Sequence, residues 1–305
     1  MLAYLWNEID SGYGPFEEKN TLILPIDQTR MLTRLQALSI EDVEEHVLLT
    51  AVSTRLLDRL EFILQQPKNI LILGVWPDKT VEKLKTIFPQ AQFFLLSANL
   101  SILKKFKNQV DVICSTNFQL PFQNSCFDFV FSNLSFTMAA DLAWIFYEVY
   151  RVCKPNALLM MSLFGVDTLQ ELRYSFSQVD AFAHVHTQID MHDVGDLLLQ
   201  LQWQDPVMDM EHLTIHYDVL SDLFLDMKTI AMNNAHQKRC KTLYGKQHWQ
   251  QMQKIYEQFR NEEGKLPATF EFIYGHAWRG NDNVGMGMQL ENETIIPLHA
   301  IKRNP

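Results

Sequence analysis

In the first half of the chain, short apolar runs alternate with segments in which apolar residues recur at helical spacing. The clearest of these runs ends at a glycine. Residues 69–73 read Asn-Ile-Leu-Ile-Leu, Gly74 follows, and Asp78 and Thr80 stand where they can cap a helix over residues 81–88. This order predicts a buried strand, a turn and a helix N-terminus. Four more runs share the strand pattern: residues 93–96, 110–114, 127–131 and 158–163. With helical stretches between most of them, they predict a doubly wound α/β fold.

The flanking segments extend this pattern in both directions. Apolar residues at helical spacing predict one long amphipathic helix over residues 41–64. After residue 164 the predicted helices are 167–176, 191–201, 220–232 and 246–260, and two more strands are predicted at 207–217 and 269–277. We therefore expect an extension at residues 1–44, one domain at 45–278 with a helical cap at 165–260, and a tail at 279–305.

Composition and charge narrow the class of protein. The chain has 305 residues, of which 47% are apolar, so it is long enough to bury a large core. Its net charge of -10 opposes nonspecific attraction to nucleic acid or to an anionic membrane. We expect neither as a partner, and any acidic partner needs a local basic surface.

The cysteines and histidines give no sign of a metal centre or a disulfide framework. The four cysteines form no C-x-x-C pair, and His192, His212 and His276 lack the spacing of metal ligands. The first 25 residues do not resemble a signal peptide, and no apolar run reaches the roughly 18 residues that span a bilayer. The expectation is a cytoplasmic protein with reduced thiols and no metal.

The segment after the first strand is where α/β folds bind a nucleotide. Glycines there let the backbone approach the ligand, and the helix N-terminus offers free N–H groups. Here Gly74 is followed by Trp76, where a second glycine would leave space, and by Pro77, which has no N–H. A lone glycine after an apolar run also fits a strand that simply ends.

Several longer segments carry a family resemblance. Residues 120–122 (Leu-Pro-Phe) and 125–134 (Ser-Cys-Phe-Asp-Phe-Val-Phe-Ser-Asn-Leu) resemble a signature of the malonyl-acyl-carrier-protein O-methyltransferases of biotin synthesis, which are class I S-adenosylmethionine-dependent methyltransferases. Residues 164–173, 191–196, 205–211 and 266–278 extend the resemblance, which covers roughly residues 45–278. A mitochondrial complex I assembly factor with a methyltransferase fold, implicated in arginine hydroxylation, shares much of the pattern.

The resemblance implies a Rossmann-like fold with a mostly parallel seven-stranded sheet and a helical cap, and it assigns the cofactor residues. In the family loop an acid and two glycines correspond here to Ile72, Trp76 and Asp78. The family's ribose-binding acid corresponds to Ser97, and the acid that reaches the adenine corresponds to Thr116. The cofactor residues that the resemblance implies are Gly74, Trp76, Ser97, Thr116, Asn117 and Asn133. Losing several charge-assisted hydrogen bonds, at about 1.5 to 3 kcal/mol each, would weaken cofactor binding.

Two side chains have both a functional and a structural interpretation. Asn133 follows the fourth predicted strand and either positions cofactor or substrate or caps the strand end. Arg173 lies on the substrate side of such a fold, where it is the candidate catalytic residue because it can pair with a malonyl carboxylate. Its alternative is a salt bridge on a helix surface.

A basic segment interrupts the acidic chain. Residues 228–256 contain no acid and six cations: Lys228, Lys238, Arg239, Lys241, Lys246 and Lys254. Acyl carrier proteins are acidic, so this segment either steers one to the protein or is a solvated helical surface.

Two hypotheses follow. The first is an S-adenosylmethionine-dependent O-methyltransferase that esterifies the malonyl carboxylate. The second is a pseudo-methyltransferase with a binding or assembly role, in which Trp76 and Pro77 fill the cofactor pocket.

Overall fold

The computed structural model describes residues 22–281 except 61, 62, 64 and 116–118. Its strands are β1 Asn69–Leu73, β2 Gln92–Ser97, β3 Asp111–Cys114, β4 Phe127–Asn133, β5 Cys153–Phe164, β6 Trp203–Tyr217 and β7 Leu266–Arg279. Its helices are α1 Gln28–Gln36, α2 Ile40–Glu45, α3 Val47–Arg59, α4 Asp78–Ile87, α5 Leu100–Phe106, α6 Leu142–Val152, α7 Gln170–Ser177, α8 Met191–Gln200, α9 Leu220–Thr229 and α10 Lys246–Tyr256. In this described part no helix is long and apolar enough to traverse a bilayer.

The strands form one seven-stranded sheet in the order β3-β2-β1-β4-β5-β7-β6. The first five strands pair in parallel, and β7 pairs antiparallel with both β5 and β6. The expected Rossmann-like, mostly parallel sheet is thus confirmed, and each of the seven predicted strand segments lies within an observed strand or differs from one by a single residue at its start.

The sheet has a packed hydrophobic layer on each face. One layer includes side chains of α3, α4 and α5, and the other includes side chains of α6 and α8. Because both faces of the sheet are covered, the parallel strands are apolar on both sides. Their sequences are therefore nearly continuous apolar runs.

The predicted helix at 41–64 is wrong as a single element. The structure breaks it at His46, whose ring Nδ1 accepts a hydrogen bond from the backbone N–H of Leu48 and so caps α3. Histidine is not among the usual N-cap residues, so the pattern of apolar residues gave no sign of the break. In the N-terminal extension, α1 and the residues around it form a small core with Ala231 and Ala235. Residues 1–21 and the tail after residue 281 lie outside the described residues, and the domain boundaries at 45 and 278 remain predictions.

Chain order reverses between β1 and β4. The chain proceeds outward from β1 to β2 and β3, and then returns to place β4 on the other side of β1. In open α/β sheets, ligands bind in the crevice outside the carboxyl ends of the strands at such a switch point.

Candidate functional site

Gly74 forms the turn at the end of β1, and its lack of a side chain is required there. Its φ is +100°, and a Cβ at this position would lie 1.8 Å from the Ser135 Oγ. The Ser135 hydroxyl donates to the carbonyl of Leu73 over 2.8 Å, and the Gly74 N–H donates to the carbonyl of Leu96 over 3.0 Å. The glycine therefore lets the loop after β4 pack directly onto the end of β1.

Trp76 lies in the core below the turn rather than in the crevice. Its ring is fully buried and stacks on Phe131 with 4.8 Å between ring centroids, and its Nε1 donates to the carbonyl of Leu73 over 2.8 Å. Neither Trp76 nor Pro77 lines the cavity at the crevice. The hypothesis that these two residues fill the cofactor pocket is therefore wrong. The indole packs instead against apolar side chains of the sheet, such as Phe131.

Ser97 and Asn133 line a cavity at the crevice, together with Gly74. Ser97 lies at the end of β2, and its hydroxyl accepts a 3.2 Å hydrogen bond from the N–H of Asn99. Asn133 lies at the end of β4, where its Oδ1 accepts a 2.8 Å hydrogen bond from the Ser162 hydroxyl. The structure thus brings together three of the six predicted cofactor residues. Thr116 and Asn117 lie outside the described residues.

Leucines of the N-terminal segment form part of the wall of this cavity. Leu32 and Leu35 of α1 and the nearby Leu38 line it, and about 120 Å³ is left between them and the strand ends. The Asn99 side chain holds this segment, since its Nδ2 donates to the carbonyls of Leu35 and Leu38 over 2.7 and 2.9 Å. Pockets that hold small molecules commonly have about 300–1,000 Å³, so the enclosed space is small by comparison.

The described residues that line the cavity are uncharged. Among its described residues the polar side chains are Ser97, Ser115, Asn133 and Ser135, and the remainder are apolar or glycine. The N-terminus of α4, which could offer N–H groups to an anion, already has a partner from the chain itself. The Glu44 carboxylate accepts from the N–H of Asp78 at 3.0 and 3.1 Å and pairs with Lys105 at 2.5 Å. Sequence reasoning missed Glu44, because its distance from Asp78 along the chain gives no sign of contact.

Arg173 lies away from the cavity, in a second depression. It belongs to α7, and its guanidinium donates to the carbonyls of Val166 and Thr168 over 2.7 and 3.0 Å. It lines a groove with Val166 and Phe182, and the residues that line the cavity do not include it. The structure therefore does not place Arg173 beside Gly74, and its catalytic role remains a prediction.

Three potential metal ligands meet at the sheet edge although their sequence spacing gave no sign of this. Carboxylate or ring atoms of Asp167, His212 and Glu271 all lie within 4.8 Å of one another. His212 and Glu271 are cross-strand neighbours in β6 and β7, and Glu271 also accepts from the N–H of Asp167 over 2.7 Å. These contacts tie the loop after β5 to the sheet.

Comparisons with known proteins agree with this architecture. A profile of the methyltransferase domain matches residues 90–161. A malonyl-acyl-carrier-protein O-methyltransferase 1 of Coxiella burnetii is 40% identical over 254 residues, which is 83% of this chain and 89% of that protein. The malonyl-acyl-carrier-protein O-methyltransferase of Legionella pneumophila is 34% identical over 82% of this chain and 89% of its own. A solved structure of a putative methyltransferase from Bacillus halodurans is 15% identical, with a TM-score of 0.53, and covers 76% of this chain and 100% of that one. This last likeness speaks for the fold alone.

Proposed function

The chain belongs to the family of malonyl-acyl-carrier-protein O-methyltransferases, and from this membership we propose that it methylates the free malonyl carboxylate of a malonyl carrier protein, in biotin synthesis, with S-adenosylmethionine as donor. The observation that carries the proposal is the extent of the identity. The sequence identity to the Coxiella burnetii protein is 40% over 254 residues, a length well beyond the methyltransferase domain matched at residues 90–161.

The cavity lies where the fold would bind S-adenosylmethionine, but its volume is too small for this cofactor. The cavity lies at the switch point, where Gly74, Ser97 and Asn133 would surround the donor. Its volume of about 120 Å³ and its uncharged described lining do not accommodate S-adenosylmethionine as they stand. Binding would require the leucines of α1 to withdraw, and Ser97 would have to serve where the family has its ribose-binding carboxylate.

Methylation of a carboxylate requires the protein mainly to position the carboxylate and the methyl donor. A carboxylate is already a nucleophile, so its methylation needs no general base. Apolar residues such as Phe136, Ile145 and Phe164 line the cavity and would exclude water from the reacting carboxylate.

The alternative function is a pseudo-methyltransferase that keeps the fold for a binding or assembly role. The specific observation in its favour is the small cavity, of about 120 Å³, with no charged residue among those described. The two functions differ in whether S-adenosylmethionine binds.

Calorimetric titration with S-adenosylmethionine separates the two functions, and Ser97→Asp sharpens the test. We expect the wild-type protein to bind weakly and Ser97→Asp to bind about five-fold to more than a hundred-fold more tightly. A carboxylate accepts two hydroxyl hydrogen bonds and adds about 1 to 3 kcal/mol. Ser53→Asp is the control, since Ser53 is equally buried but belongs to α3 and does not line the cavity. Absence of binding to both the wild type and Ser97→Asp would support the pseudo-methyltransferase.

The basic segment is our proposed contact for the acyl carrier protein. Its five lysines are exposed, and none of them forms an ion pair within the described residues. Arg239 differs, because it pairs with Asp27 at 2.9 Å and is only 13% exposed. It therefore supports the N-cap of α1 rather than offering a charge to a partner.

Reversing three of these lysines to glutamate, at Lys238, Lys241 and Lys246, should weaken carrier-protein binding at low salt, and the difference should shrink as ionic strength rises. The matched control reverses Lys79, Lys104 and Lys107, which are also exposed and lie outside the segment. The control carries the same change in net charge and should retain more of the affinity. Equal loss in the two triple variants would argue against a docking role for the segment.

A further inference from the structure

Three side chains that can bind a metal ion lie together beside the loop that follows β5. They are Asp167 in that loop, His212 in β6 and Glu271 in β7, and one ligand atom from each lies within 4.8 Å of the other two. His212 and Glu271 are paired across the antiparallel strands, so both side chains lie on the same face of the sheet. Two carboxylates and an imidazole are donor groups that zinc and related transition-metal ions accept.

The Glu271 carboxylate is buried without a positively charged partner. Glu271 is only 4% exposed, and no lysine or arginine of the described residues forms an ion pair with it. Within the same described part, the carboxylate accepts one hydrogen bond, from the N–H of Asp167 to Oε2 over 2.7 Å, and Oε1 accepts none. A carboxylate removed from water is normally paired with a cation or bound to a metal. The position of Glu271 therefore indicates a ligand that is itself a cation.

The positive groups nearby do not supply this cation. Arg173 is close enough to Asp167 to interact with its charge, but its guanidinium donates to two backbone carbonyls of the same loop. The His212 Nε2 lies 3.2 Å from the Asp167 Oδ2, and both of these side chains are partly exposed. A protonated imidazole would balance one carboxylate, and the other would still lack a counter-charge.

The backbone around Glu271 holds the three ligands in place. The Gly165 N–H and the Thr168 hydroxyl both donate to the carbonyl of Glu271, over 2.9 and 3.0 Å. A Cβ at residue 165 would lie 2.2 Å from the Glu271 carboxyl carbon, so a glycine is what lets the loop approach this carboxylate. Supporting hydrogen bonds of this kind orient metal ligands. The partial exposure of Asp167 and His212 leaves a path for an ion and room for water as a further ligand.

We propose that Asp167, His212 and Glu271 bind one Zn²⁺ ion, with water completing its coordination. Zinc accepts both imidazole nitrogen and carboxylate oxygen, whereas calcium and magnesium prefer oxygen ligands alone. Donor atoms in a tetrahedral zinc site lie about 3.4 Å apart, so the 3.2 Å between His212 Nε2 and Asp167 Oδ2 suits such a site. Small side-chain movements bring the third ligand to the same spacing. The ion would neutralise the buried carboxylate and fix the loop that continues from Phe164 in the cavity wall.

Calorimetric titration with ZnCl₂, after a chelator has removed any bound metal, is the first test. We expect one Zn²⁺ to bind per chain at micromolar concentration. Asp167→Asn and His212→Gln should each weaken this binding about ten-fold or more, because even the hydrogen-bond partners of metal ligands are worth about ten-fold in affinity. Both side chains are partly exposed, so the two variants should fold. Zinc should also raise the melting temperature of the wild type more than that of either variant.

His192→Gln is the matched control. His192 also pairs with an aspartate, Asp190 at 2.8 Å, but this exposed pair has no third ligand beside it in the described part of the chain. The control should bind zinc as the wild type does.

Three results would overturn the proposal: no stoichiometric zinc binding by the wild type, wild-type affinity in His212→Gln, or tighter binding of Ca²⁺ than of Zn²⁺. Each readout is independent of S-adenosylmethionine and of methyl transfer, so failure of the proposed function would appear separately.

Discussion

Arg151→Ala should lower the free energy of unfolding by about 3 kcal/mol, because it leaves a carboxylate buried without its counter-charge. Arg151 pairs with Glu148 at 2.8 Å, and the Glu148 side chain is only 3% exposed. The hydrogen bonds that Arg151 donates to this carboxylate raise the pKa of the guanidinium. The pair also holds the loop that precedes β4. Glu148 accepts from the N–H of Leu120, and Arg151 donates to the carbonyls of Leu120 and Phe122.

The chain offers a matched control with the same spacing. Arg260 pairs with Glu257 three residues before it at 2.6 Å, but the side chains are 31% and 51% exposed. Exposed pairs contribute about 0 to 1 kcal/mol, so Arg260→Ala should have a much smaller effect. Chemical denaturation of both variants measures the difference. Equal losses would show that the burial of Glu148 does not matter. Because Leu120 lines the cavity, Arg151→Ala should also weaken ligand binding there.

Gly74→Ala should destabilise the protein by about 3 kcal/mol or more, from two separate causes. The positive φ of +100° costs about 1–3 kcal/mol for a residue with a side chain. The new Cβ would also meet the Ser135 Oγ at 1.8 Å, so the loop after β4 would have to move. Adding Ser135→Gly should recover the second part of the loss and leave the first.

Gly264 separates the two causes in the wild-type background. It also has a positive φ, of +76°, but a Cβ there would meet nothing within 4 Å. Gly264→Ala should therefore show the backbone effect alone, about 1–2 kcal/mol. The measurement is again the free energy of unfolding in denaturant. If the two alanine variants lost the same stability, the close approach of Ser135 would carry no energetic weight.

The sheet was predictable because each strand carries its own signal. A strand buried on both faces, such as β1, is apolar at nearly every position, and β7 is rich in aromatic residues, which are favoured in strands. The position of the crevice was also predictable, because Gly74 and Asn133 mark the carboxyl ends of two predicted strands.

The arrangement around the crevice was not predictable, because it depends on contacts between distant segments. Trp76 was expected in the cofactor pocket from its position in the loop, but its ring faces Phe131 in the core. Leu35 lines the cavity from a segment that the sequence presents only as an extension. Glu44 and Asp78 meet across 34 positions, and no local pattern marks that contact.

Mass analysis of the carrier protein is the direct test of the proposed methylation of its malonyl group. The reaction contains malonyl carrier protein, S-adenosylmethionine and the wild-type protein, with unloaded carrier protein as the control substrate. We predict that the malonyl carrier protein gains the mass of one CH2 unit, because a methyl group replaces the carboxyl proton, while the unloaded carrier protein does not change. An unchanged mass of the malonyl carrier protein at saturating donor concentration, with protein shown to be folded, would rule out the proposed methylation.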